Sequence, residues 1–305
     1  VTPLASAQEN SSNRSGFHIG FPLESKWETS INYDAANIGG YIGNSVYVGL
    51  VGFGAGNGRL AALDINSVEE KWSMELPNLV GTPIADRGSL FIRAGNKVFS
   101  VNPNNGSKIW ESRFSQGQGR FLSVQDDQIF GVSTRAEQRE NADGFRTISG
   151  ELVSFDRKTG NRNWEVEGEP VSGMAVGENN VFVTFSEDVY NEFLIESAGS
   201  IHAYTKSGEY LWNTDEFSPF GYPVPTDSVL VGVGRGGTLY GFGYSSGRKQ
   251  WERNITSNIP RSIEGDVILY LGDSSGQITA FSVENQSVLW QRQFDRTIRW
   301  LSQYD

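Results

Sequence analysis

The 305-residue chain has no cysteine, only two histidines (His18 and His202), ten prolines, and seven lysines beside 18 arginines. Without cysteine there is no disulfide framework, no thiolate-held zinc and no thiol nucleophile. Two histidines leave almost no material for a histidine-rich metal centre or a Ser-His-Asp triad. No run approaches the ~18–20 apolar residues of a membrane-spanning helix, so no membrane span is expected. Acidic side chains outnumber basic ones 36 to 25, giving a formal charge of −11. A nucleic-acid partner, which needs a basic footprint, is therefore not expected. An acid-rich, lysine-poor surface of this kind suits a salty, halophilic exterior, where carboxylates keep a protein hydrated.

Glycine is abundant at 36 of 305 residues, about 12% against a usual ~7%. Aromatics make up 12% of the chain, so the core leans on large rings. Residues 1–21 read as a polar, flexible leader; within them residues 1–15 lack periodicity, and Ala5-Ser6-Ala7 has the form of a signal-peptidase site. Residues 22–305 read as one domain. Asn-x-Ser/Thr sequons make Asn10, Asn13, Asn105, Asn254 and Asn285 candidate glycosylation sites. Together these features point to an extracytoplasmic location, whether secreted, periplasmic or surface-attached.

Six segments share a small or polar start, alternating apolar residues, a polar turn and a tryptophan. They begin at Gly58, Asn96, Gly150, Gly199, Gly237 and Gly276 and end at Trp72, Trp110, Trp164, Trp212, Trp251 and Trp290. The offset is 14 residues in five and 13 in the fourth. Each carries a strand, a turn such as Asn104-Asn-Gly106 or Lys158-Thr-Gly160, and a second strand. Another strand pair lies upstream of each. Counting from Trp27, the tryptophans are spaced 45, 38, 54, 48, 39 and 39 residues apart. Four antiparallel strands about every 40 residues predict an all-β fold, a β-propeller.

The segments Leu60-Ala-Ala-Leu-Asp64 and Phe155-Asp-Arg-Lys-Thr-Gly160…Trp164 resemble the repeat of the quinoprotein-like, or PQQ-repeat, β-propellers. The resemblance runs from about residue 22 to the C-terminus. It implies that Trp27, Trp72, Trp110, Trp164, Trp212, Trp251 and Trp290 dock structurally between blades. Seven such rings favour seven blades, the last incomplete and closed by Leu23–Thr29 and Ile298–Asp305; six blades is the alternative. An incomplete last blade also offers a route to an oligomer.

Long loops on a rigid scaffold are the usual carriers of binding. Insertions at 134–147 and 187–196 fall between second and third strands of adjacent blades, and a glycine-rich one at 52–58 takes the same place in the first blade. Arg135, Arg139, Phe145, Tyr190 and Phe193 are the candidate binding residues on this loop face. Arg120 and Arg299 align at the start of an innermost strand, with Arg261 two places further on. These three form a candidate anion-attracting group at the funnel mouth.

Enzymes of the resembling family hold pyrroloquinoline quinone with calcium and a catalytic aspartate, often beside a vicinal disulfide. This chain lacks cysteine and shows no recognisable metal cluster or pair of catalytic carboxylates. No cofactor, metal or catalytic residue is assigned. The resemblance thus favours the non-catalytic branch: an interaction scaffold or surface-assembly component whose partners are envelope proteins. A quinone-dependent dehydrogenase acting on alcohols or sugars is the alternative.

Overall fold

The repeating unit is a row of three residues across three strands: an aromatic, a small residue and a tryptophan. A computed structural model describes residues 35–51, 58–77, 80–138, 145–169, 171–186, 199–214, 217, 222–234, 237–255, 260–264 and 268–295. The chain divides into two compact units, Val1–Asn32 and Tyr33–Asp305. The first lies outside the described residues. The expected leader, Trp27 and the terminal strands proposed for a shared seventh blade do so as well.

Among its described residues the second unit carries six four-stranded antiparallel sheets. The first is β1 (Ala35–Ile42), β2 (Ser45–Val51), β3 (Gly58–Asp64) and β4 (Glu70–Leu76). The second is β5 (Ile84–Asp86), β6 (Ser89–Ala94), β7 (Lys97–Val101) and β8 (Lys108–Arg113). The third is β9 (Gln118–Gln125), β10 (Gln128–Gln138), β11 (Phe145–Asp156) and β12 (Arg162–Gly168). The fourth is β13 (Val171–Val176), β14 (Asn180–Ser186), β15 (Gly199–Thr205) and β16 (Tyr210–Asn213). The fifth is β17 (Val224–Pro225), β18 (Leu230–Val233), β19 (Thr238–Phe242) and β20 (Lys249–Asn254). The sixth is β21 (Pro260–Glu264), β22 (Ile268–Asp273), β23 (Gln277–Ser282) and β24 (Ser287–Gln293). Neighbouring strands in each sheet are neighbours in sequence, the up-and-down order of a propeller blade. Inner strands of the first five sheets follow one another side by side, β1 on β5, β5 on β9, β9 on β13 and β13 on β17.

In the first blade Tyr47 pairs with Ala62 and Ala62 with Trp72. The same row recurs as Phe91–Ser100–Trp110, Phe130–Ser154–Trp164 and Phe182–Ala203–Trp212. It continues as Val231–Gly241–Trp251 and Tyr270–Ala280–Trp290. The small central residue lets the indole reach across the third strand to the ring on the second. Ring centroids within these rows lie 5.9–6.1 Å apart, a separation at which aromatic pairs add about 0.5–1.5 kcal/mol beyond area burial. In the fifth row the second-strand residue is Val231, and Trp251 instead meets Phe281 of the next blade at 6.0 Å. A bulge follows the small residue in every blade, turning the tryptophan toward the following sheet.

There it meets a turn. The indole N–H groups of Trp72, Trp110, Trp164 and Trp212 donate to the carbonyls of Pro103, Arg157, Lys206 and Tyr244 at 2.8–3.1 Å. Each ring covers a left-handed glycine of that turn: Gly106, Gly160, Gly208 and Gly247, with φ from +64° to +90°. A Cβ on any of them would stand 2.4–2.7 Å from the ring. The glycine is thus required twice, for its φ and for its bare Cα. Val68 takes this position in the first blade at φ +63°, and Gln286 in the sixth at φ +50°. Trp290 is 45% exposed, with Val288 and Leu289 of β24 also open at 41% and 47%. Among the described residues no following turn covers Trp290, unlike Trp110, Trp212 and Trp251, which are at most 9% exposed.

Candidate functional site

The segment expected as the insertion 134–147 is largely strand. β10 and β11 run 11 and 12 residues and stay paired from Gln128↔Asp156 out to Gln138↔Phe145. The flanking strands stop earlier, β9 at Thr134 and β12 at Gly150. Beyond them the pair continues as a two-stranded arm, with a bulge between Arg135 and Ala136. Four residues past the last flanking pair extend it by about 13 Å. Arg135 stands on the arm and meets Glu137 at 3.2 Å, both more than half exposed, an ion pair worth about 0–1 kcal/mol.

The root of the arm is held by a carboxylate. Glu151 is fully buried, and its Oε2 accepts the backbone N–H groups of Ser115 (2.8 Å) and Gln116 (3.2 Å) and the Ser133 hydroxyl (3.3 Å). Its Oε1 accepts Arg162 Nη1 at 2.8 Å, and Arg162 also donates to Ser115 Oγ and the Arg113 carbonyl. Gln116 bridges both arm strands: its carbonyl accepts Ser133 Oγ at 2.6 Å and its Oε1 accepts Ser149 Oγ at 2.9 Å. Gly117, at φ +69°, lies so close that a Cβ would reach the Thr134 carbonyl oxygen at 2.1 Å. A buried charge with four such partners is compensated; removing one side typically costs about 3–5 kcal/mol.

On the loop face, then, the structure places Arg135 on a rooted arm and Phe145 at the arm's returning strand. Arg139, Tyr190, Phe193 and the glycine-rich segment 52–57 lie outside the described residues. Arg120 is in β9 and Arg261 in β21, while Arg299 lies outside the described residues. The side chains that share Arg120's surroundings are Arg93, at the end of β6, and Tyr222, just before β17. Neither stands out in the sequence. Burial and then the Arg120 charge push the Arg93 guanidinium below its ordinary value, partly opposed by Tyr222. Burial pushes the Tyr222 phenol up, against the pull of both arginines. Of the sequons, Asn105, Asn254 and Asn285 are exposed and Asn10 and Asn13 lie outside the described residues.

On the opposite face, turns of neighbouring blades are clasped. Arg157, 8% exposed, donates to the carboxylate and carbonyl of Asp86 and to the Asp126 carbonyl. Asp126 in turn pairs with Lys206 at 2.9 Å and Arg87 at 3.9 Å. One chain of charges therefore ties the second, third and fourth blades.

Among the described residues no group of three or more His, Cys, Asp or Glu side chains is placed to hold a metal ion, and the chain has no cysteine. The donor set of a calcium-bound quinone is not met by these residues. No helix among them is long and apolar enough to cross a membrane.

The family model described as outer membrane protein assembly factor BamB matches residues 24–166 and again 148–299. The chain belongs to this family of PQQ-repeat β-propellers. Within it, the chain is 23% identical over 265 residues to the outer membrane protein assembly factor BamB of Burkholderia pseudomallei. That alignment takes in 82% of the chain but 63% of the relative, so the chain spans under two thirds of that protein's length. Among solved structures, BamB from Moraxella catarrhalis superposes with a TM-score of 0.62 at 14% identity, covering 88% of this chain and 79% of that one. The computationally designed Ika8 protein superposes at 0.55 with 12% identity, over 90% and 93% of the two chains. These likenesses establish the β-propeller fold.

Proposed function

We propose that the protein is a non-catalytic, extracytoplasmic β-propeller that docks other proteins of the cell envelope, as a scaffold or as part of a surface assembly. The observation that carries this reading is the arm of β10 and β11, which extends past its flanking strands on a root fixed by buried Glu151. Framework packing has no use for such an extension, whereas a rigid projection presents the same surface to every partner. Membership of a family described by an assembly factor agrees with it. Arg135 and Phe145 of the arm, with Arg139 in the segment between β10 and β11 and Tyr190 and Phe193 in the insertion 187–196, are the proposed contacts, aromatic and arginine anchors being the commonest hot spots.

Cross-linking followed by peptide mapping tests the reading, with the full chain mixed into a native envelope extract. Cross-links concentrated in 134–147 and 187–196, and lost in the double variant Tyr190→Ala, Phe193→Ala, are expected. Cross-links concentrated instead on the opposite turns, around Asp86, Asp126 and Lys206, would overturn it.

A further inference from the structure

The row tryptophan is buried or half-buried in the first five blades, whereas Trp290 of the sixth is 45% exposed. Its pose is nevertheless the same. Trp290 lies 6.0 Å from Tyr270 with 46° between the ring planes, and four matching rows give 5.9–6.1 Å and 37–48°. The bulge that turns the indole outward is also present, between Ala280 and Phe281. The ring is thus held ready within its own blade and loses little rotamer freedom on docking.

The strand around it differs from the other outer strands. All seven residues of β24 are exposed. β4, β8, β12 and β20 carry three charged residues each, and β24 carries one, Arg292. Two places before the tryptophan those four strands hold Glu70, Lys108, Arg162 and Lys249, each in an ion pair. β24 holds Val288 there, 41% exposed. Loss of charge around an exposed tryptophan is the composition of an interface centre rather than of a solvated edge.

The sibling rings define what fits Trp290. Trp72, Trp110, Trp164 and Trp212 each cover a left-handed glycine in the turn between third and fourth strands of the next blade. Each indole N–H donates to a carbonyl two or three residues before that glycine. A Cβ there would stand 2.4–2.7 Å from the ring, so the contact selects glycine. Among the described residues all four glycine turns of this kind are taken by the chain's own rings, and the first and sixth blades carry Val68 and Gln286 at that position. A second copy of the chain therefore has no such turn to offer, which points to a different protein.

We propose that Trp290 and Val288 anchor a hairpin of another protein, whose tight turn places a left-handed glycine under the indole and a carbonyl at its N–H. One ring covers far less than the ~1,200 Å² of a stable interface, so it acts together with other contacts. The proposal rests on the scaffold reading for the existence of a partner, and uses a strand separate from the arm.

Photocross-linking tests the source of the hairpin, with benzoylphenylalanine in place of Leu289 in the full chain, mixed into a native envelope extract. Links to a glycine turn between two strands of another protein are expected. The half-saturating concentration should rise about thirtyfold in Trp290→Ala. Val288→Lys, which restores the charge of the other blades, should raise it about tenfold and keeps the test open if Trp290→Ala fails to fold. Recognition is read with a defined probe, a backbone-cyclised peptide of residues 97–113, whose turn receives Trp72 in the second blade; cross-strand NOEs establish that it is folded. In a nitrogen-15 spectrum of the full chain the Trp290 indole N–H should move downfield saturably, and should stay in place with the Gly106→Ala probe. No link from position 289, links to this chain itself, links at no glycine turn, or an unmoved Trp290 indole beside the folded probe overturns the proposal. Failure of the scaffold reading at the arm shows differently: links from position 289 persist while 134–147 and 187–196 capture nothing.

Discussion

Replacing Gly160 by alanine tests the contact that joins the blades. Gly160 sits at φ +72° beneath the Trp110 ring, and an added Cβ would stand 2.6 Å from Cδ2 and Cε3. Gly88, in the β5–β6 turn, has nearly the same backbone at φ +73°, but a Cβ there would meet nothing within 4 Å. An alanine forced into the left-handed region costs about 1–2 kcal/mol, offset by about 0.4–1 kcal/mol because the unfolded chain also loses freedom. Both variants carry that net loss, on the order of 1 kcal/mol. Only Gly160→Ala must also shift the indole, and overpacking of this kind costs about 1–3 kcal/mol more. The docking contact therefore emerges as the difference, measured by equilibrium urea unfolding followed by circular dichroism. Trp110 should report the same event, since its indole N–H donates to the Arg157 carbonyl at 3.1 Å, and its emission should shift red when that bond lengthens. Equal losses in the two variants, with Trp110 emission unchanged, would refute the reasoning.

Two further outcomes concern the same turns and the carboxylates beside them. Val68→Gly puts glycine where four other blades already carry it; relief of about 1–2 kcal/mol, less about 0.5–1 kcal/mol for added chain freedom, should raise Tm slightly in calorimetry, and a lowered Tm would contradict the assigned φ of +63°. The Asp64 carboxyl is held at about 2, chiefly by the Asn66 backbone N–H and then by Lys71, and Glu111 also at about 2 by Lys108 and then Lys97. Both lie below the ~4 of an unfolded chain, so their stabilisation is complete above about pH 4 and is lost as pH falls through 2. Carboxyl carbon shifts followed by NMR should titrate with midpoints near 2 for both residues; midpoints near 4 would remove this source of acid sensitivity, and Asp64→Asn should shallow the acid limb of the stability curve.

The blade was legible because its packing repeats. Each tryptophan faces a small residue and four of them meet a turn glycine ahead, so Ala62, Ser100, Ser154, Ala203, Gly241 and Ala280 recur ten residues before their rings, nine in the fourth blade. The arm was not legible as strand. Thr134-Arg-Ala-Glu-Gln138 carries no apolar alternation, since a ribbon with water on both faces has no side to bury, and period-2 patterning records burial rather than pairing. Glu151 was hidden for a related reason. It occupies the slot filled by Arg59, Lys97, Ser200, Thr238 and Gln277 in the other blades, a position that reads as solvated until the loop at Ser115 and Gln116 is folded over it. Arg93 and Tyr222 belong to different blades and bear no fixed spacing, so only closure of the inner strands brings them to Arg120. Trp290 matches its repeat as well as any other ring, and its 45% exposure is set by the neighbours its ring meets rather than by its own strand.

The tryptophan contact also has a direction: each of the first five blades hands a ring forward to the next. A unit cut out or copied in register leaves the same ring facing the same kind of turn, so the join stays chemically valid whatever the number of units. Substitutions such as Val68 and Gln286 at the receiving position mark where that interchangeability has lapsed. A lineage built this way can gain or lose whole blades by duplication or deletion, with the middle units exchanging freely and the first and last diverging to suit their own ends.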